Sequence, residues 1–129
     1  MFGQSRLGNI CYYVKNIDRT EAFYRDVIGL PVDRMEGEPG GGDWLIAHTA
    51  NGIDLLFFEM DSRPGNSPII VFELADGGID DVVAALAEKG ATIVTPVSHA
   101  PGGWSAEVAD PDGHQVSMYQ SAEIPRSLA

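Results

Sequence analysis

The chain reads as one layout written twice. Residues 7–59 run as strand, helix and three further strands, and residues 68–120 repeat that order over an equal length. The first copy opens with LGNICYYV, a strand-like run, and passes into IDRTEAFYRDVIG, with Ile17, Phe23, Tyr24, Val27 and Ile28 at helical spacing. The second opens with PIIVFEL and passes into GIDDVVAALAEKG, where Ile79, Val82, Val83, Leu86 and Ala87 fall on one helical face. Gly29 and Gly90 close the two helices, as a left-handed C-terminal cap requires. Identity between the halves is low, so the repeat is one of arrangement. It predicts two half-sheets that enclose a site neither half forms alone.

The pattern places strands near 7–14, 30–36, 43–49 and 53–59, then near 68–75, 91–97, 103–109 and 114–120. Glycine-rich EGEPGGGD and APGG precede the third strand of each half, and Asn51-Gly52 is a hairpin signal. The joint DSRPGNSP is too short for a flexible interdomain linker, so residues 1–129 are expected to form a single domain. The tail after Gln120 lacks a pattern and is expected to extend an edge or fray.

Composition narrows the partners. Nineteen acidic against eight basic side chains give a formal charge of −11, which argues against nucleic acid and anionic membrane surfaces. The acidity suits a cationic ligand, and equally suits a protein kept soluble by charge. No run approaches the ~18–20 apolar residues of a membrane span. The opening MFGQSRLGN lacks a signal-peptide pattern, and the single cysteine, Cys11, fits a reducing, cytoplasmic setting.

Asp110-Pro111-Asp112-Gly113 sets a tight turn before the alternating strand HQVSMYQ, with the aspartates placed for side-chain-to-backbone bonds. Together with FYRDVIGL in the first half and the duplicated layout, this resembles the vicinal oxygen chelate superfamily over about residues 5–121. That group includes glyoxalase I, extradiol dioxygenases, fosfomycin resistance proteins and bleomycin-binding proteins. The resemblance implies an α+β fold in which two βαβββ modules form a curved mixed sheet around a cup. It also implies a homodimer, and often a divalent metal held by His or Glu from the first and fourth strands of each module.

Carried onto this sequence, those four positions fall on Asn9, Asp54, Ile69 and Ser117. An amide, a carboxylate, an aliphatic and a hydroxyl do not make a divalent site, so no metal and no other cofactor is expected. The same register, read with period two, turns Asn9, Cys11 and Tyr13, then Asp54, Leu56 and Phe58, then Ile69, Val71 and Glu73, then Ser117 and Tyr119, into the cup. Ile10, Tyr12 and Val14 then face the helix. Trp44 and Trp104, on the third strands, are placed to stack on a planar ligand or to pack against protein. His48 ends its strand over the cup or in solvent. Glu73 and Asp54 are the candidate proton-transfer groups: burial among Ile, Val and Phe would poise Glu73, whereas a place at the cup mouth would leave it in water. Cys11 is expected to be a buried, inert thiol.

Three classes of function follow. The first is a metal-free binding protein for a small organic molecule, cationic or aromatic, similar to the bleomycin-resistance type. The second is a metal-independent isomerase, cyclase or lyase that uses a cup carboxylate. The third is a glyoxalase- or dioxygenase-like metal enzyme with atypical ligands. Whether the protein is an enzyme is left open by the sequence.

Overall fold

The computed structural model describes residues 3, 9–37, 39–50, 52–61 and 69–129. Asn51 of the expected hairpin and most of the joint, 62–68, lie outside them. The chain divides into two compact units, residues 1–62 and 63–129.

In the first unit, β1 (Asn9–Val14) leads to α1 (Ile17–Ala22), which continues as a π-helical segment, Phe23–Val27. Then come β2 (Val32–Met35), β3 (Trp44–Ala47) and β4 (Asp54–Glu59). The sheet order is β1-β4-β3-β2, with β1 parallel to β4 and the other pairs antiparallel. Alternation decides what is covered: Tyr12, Val14, Leu45, Ala47, Leu55 and Phe57 are buried on one face, against Ile17, Thr20, Phe23 and Tyr24 of the helical run. The Tyr24 and Phe57 rings lie 4.4 Å apart and those of Tyr12 and Phe57 5.8 Å, so one aromatic cluster fills the layer between sheet and helix.

Local chemistry fixes where that helix starts and stops. The Asn16 side chain accepts from the Arg19 N–H at 3.0 Å, and Glu59 at the end of β4 accepts from the Ile17 N–H at 2.9 Å. Gly29, at φ +88°, ends the run while the N–H groups of Ile28 and Leu30 bond back to the carbonyls of Phe23 and Tyr24. Arg34 of β2 reaches over to Asp18 and Glu21 and also holds Asp43, tying the edge strand to α1. Burial raises the Glu21 pKa, but the bonds from Arg34 and Arg25 outweigh it and leave it below the usual carboxylate value.

The second unit repeats the plan with β5 (Ile70–Glu73), α2 (Ile79–Glu88), β6 (Thr92–Ala100), β7 (Gly103–Ala109) and β8 (Gln115–Ser121), in sheet order β5-β8-β7-β6. Ile79 and Leu86 of α2 are buried, as are Ile70, Ala106, Val108, Val116 and Met118 on the sheet. Ala87, expected on the apolar face of α2, is exposed. The turn behaves as read: Asp110 Oδ1 accepts from the N–H groups of Asp112 and His114, each at 2.9 Å. The expected α+β fold with two βαβββ modules is observed.

The tail departs from expectation. It neither frays nor extends an edge, because it crosses the start of α2 and supplies the bonds that this helix end lacks. Its N-terminal position, Gly78, has no side chain to cap with. Instead the Pro125 and Arg126 carbonyls accept from the N–H groups of Gly78 and Asp80, each at 2.9 Å. Buried Gln120 accepts from the Ile79 N–H at 2.8 Å and donates to the Ile124 carbonyl at 2.8 Å, so one amide joins β8, α2 and the tail. Arg126 donates twice to Asp80, while Asp81 accepts from the Ser127 hydroxyl and the Leu128 N–H. Those bonds, the Leu128 N–H first, hold the Asp81 carboxyl below its ordinary pKa.

Candidate functional site

The face of the first sheet turned away from α1 carries the expected residues in ordered rows. β-Pairing sets Asn9 beside Asp54, and Cys11 beside Leu56 and then Ile46. Tyr13 stands beside Phe58 and then Trp44. None of these is buried, whereas Tyr12, Val14, Leu55 and Phe57, one residue out of phase, all are. The period-two reading of β1 and β4 therefore assigns each side chain to the correct face.

One end of this face is aromatic. Trp44 and Phe58 stack with ring centroids 5.4 Å apart and planes 17° from parallel, and Tyr13 beside them is 52% exposed. Met35 follows Trp44 on the edge strand and is also exposed. Half-buried Trp44 and Phe58 and exposed Tyr13 lie side by side in one cross-strand row, an aromatic surface that suits stacking on a planar molecule.

The other end is polar. His48 follows β3 and places Nε2 2.8 Å from Asp33 Oδ2 and Nδ1 3.1 Å from Asp54 Oδ1. The bonds to Asp33 and then Asp54 raise the His48 pKa above the ordinary imidazole value. Sequence reasoning singled out His48 and Asp54 but not Asp33, nor the contact joining them. Asn9 Oδ1 accepts from the Cys11 thiol at 3.3 Å. Cys11 is exposed, so the expected inert thiol is not a buried one.

The corresponding face of the second sheet is open at its edge and covered further in: Ile69 and Val71 are 56% and 58% exposed, whereas Ser117, paired to Val71, is buried, and Glu73 pairs with Tyr119. Ser117 donates to Glu107 Oε2 at 3.2 Å, and the Tyr119 hydroxyl donates to the Pro101 carbonyl at 2.9 Å. Of the two placements foreseen for Glu73, the watery one holds: it ends β5 exposed and is not enclosed by the apolar residues around it in sequence.

Of the two placements open to each tryptophan, Trp104 packs against protein. It pairs with buried Gln120 and so shares the α2 side of its sheet, opposite to Ser117 and Tyr119. Its ring stacks on His99 at 4.1 Å and carries the Arg126 guanidinium 4.1 Å from its centre. The ring is thus in contact with protein on the α2 side of its sheet.

The four positions that the resemblance gives to a metal form a poor donor set. Asp54 is bonded to an imidazole, Asn9 to a thiol and Ser117 to a carboxylate, and Ile69 has no donor atom. Among the described residues, no group of three or more His, Cys, Asp or Glu side chains is arranged to hold a metal ion. No helix among them is long and apolar enough to cross a membrane.

Known proteins share this architecture. An antibiotic-binding protein from Streptomyces sp. CB03234 superposes with a TM-score of 0.73 at 21% identity, over 93% of this chain and 98% of its own. A glyoxalase/bleomycin resistance protein from the same organism gives 0.71 at 22% identity, over 87% and 97%. A genomically encoded fosfomycin resistance protein from Listeria monocytogenes gives 0.73 at 19% identity, over 92% and 94%. At such identities the likeness speaks for the fold alone. A comparison with curated proteins found no match. The family model for the Glyoxalase/Bleomycin resistance protein/Dioxygenase superfamily matches residues 6–118, nearly the whole chain, and the protein belongs to that superfamily.

Proposed function

We propose that the protein binds a small, planar organic molecule through the open face of its first sheet, without a divalent metal. The observation that carries this reading is the stacked Trp44–Phe58 pair beside exposed Tyr13. Such rings gain by covering their faces, and a flat ligand covers them with little loss of side-chain freedom because the pair is already packed. The donor set supports the metal-free half of the proposal. Hard and borderline cations take anionic oxygens or imidazole nitrogens, and three of the four positions offer neither. The antibiotic-binding and fosfomycin resistance relatives make antibiotics and similar secondary metabolites the first compounds to screen.

A second reading is proton transfer on the bound molecule, favoured by the Asp54–His48 hydrogen bond. The Asp54 carboxylate holds the His48 ring, and the imidazole is then the group that exchanges a proton with the bound molecule.

The test is a thermal-shift and calorimetric screen of aromatic small molecules against the wild type and Trp44→Ala. Any ligand found is expected to bind Trp44→Ala about 10- to 100-fold more weakly, the loss of one stacked ring. Equal affinity for the two proteins contradicts the proposed platform.

A further inference from the structure

Both ring nitrogens of His48 face carboxylate oxygens, at 2.8 Å and 3.1 Å. An ionised carboxylate only accepts hydrogen bonds, so both contacts are made as hydrogen bonds only when both nitrogens carry a proton, and the pair of carboxylates favours the imidazolium form. With His48 protonated, Asp33, His48 and Asp54 together carry one net negative charge; once the ring loses its proton they carry two. The groups around the ring come from each neighbouring strand: Asp33 from β2, Asp54 from β4, and Asn9 and Cys11 from β1 in this and the next row. Arg34 belongs to the opposite face, where Asp18, Glu21 and Asp43 hold it. Asp54 and Phe58 lie four steps apart along β4, about 13 Å at ~3.3 Å per residue, and half-buried Leu56 and Ile46 lie between.

Resting on the binding reading above, we propose that Asp33, His48 and Asp54 form a proton-linked subsite for the cationic group of an elongated aromatic ligand whose ring system lies over Leu56, Ile46 and Phe58. The cation takes Asp54 as its partner and so competes with the imidazolium for that carboxylate. Binding therefore favours the deprotonated ring, and by reciprocity loss of the ring proton favours binding. Affinity rises with pH as His48 titrates above the ordinary imidazole value, then levels off. A neutral aromatic ligand of the same shape shows no such rise.

Proflavine, a planar tricyclic cation, and acridone, a neutral tricycle, distinguish these cases. Calorimetric titration of each between pH 5.5 and pH 8.5 should show proflavine tightening about tenfold, the equivalent of one pKa unit of coupling, with net proton release. Acridone should bind equally across that range. His48→Gln should bind proflavine without pH dependence. Asp33→Asn, which removes the negative charge facing Nε2, should move the rise to lower pH. Proflavine affinity that is flat in the wild type, or a rise that survives in His48→Gln, overturns the subsite. Acridone binding without proflavine overturns the cationic part and leaves the aromatic platform standing, whereas failure of both ligands at every pH counts against both readings.

Discussion

Replacing Phe57 by alanine is expected to lower the unfolding free energy by about 3–5 kcal/mol, the usual cost of deleting a buried aromatic ring. Phe57 is fully buried in a central strand, with Tyr24 and Tyr12 against its ring. Its strand is held on both sides, by β1 and by β3, so the surroundings cannot close around the void. Chemical denaturation checks the value. Phe58→Ala is the matched control, one residue along and on the open face, and should cost clearly less. Equal losses at the two positions would contradict the assignment of faces on which the site rests.

Gln120→Leu should cost about 2–4 kcal/mol, although leucine has nearly the same volume. The change leaves the Ile79 N–H and the Ile124 carbonyl without the amide that serves both, at about 1–3 kcal/mol for the buried N–H and about 1 kcal/mol for the part-buried carbonyl. The effect should also be local. Hydrogen exchange at 78–81 and 124–128 should speed up before the rest of the second unit, since the tail and the start of α2 hold one another. Stability and exchange like those of the wild type would show that the tail bonds are dispensable.

Much of this was readable from residue order, because period-two alternation is a local property. Tyr12 and Val14 are buried and Asn9, Cys11 and Tyr13 are not, as period-two counting assigns them once the resemblance sets Asn9 on the open face. The caps at Gly29 and Gly90 and the Asp110 turn are likewise short-range chemistry. What was missed depends on pairing between distant segments. Trp44 and Trp104 hold matching places in the two halves, yet counting across β7 from the pair Glu107–Ser117 puts Trp104 on the other face. Asp33 was invisible as a site residue because its meeting with His48 follows from the β2–β3 register, not from any motif. The tail carries no hydrophobic period at all, and its order comes from the unmet backbone donors and acids of α2.

The central claim is an organic ligand bound at the open face without a metal, and native mass spectrometry tests it most directly. The chain, purified without chelator, would be offered Zn²⁺, Mn²⁺ and Fe²⁺ in turn, then an aromatic ligand from the screen with and without EDTA. The account predicts an organic adduct that forms equally with chelator present and weakens in Trp44→Ala. One tightly held metal ion per chain, with an adduct that forms only when the metal is there, would contradict it.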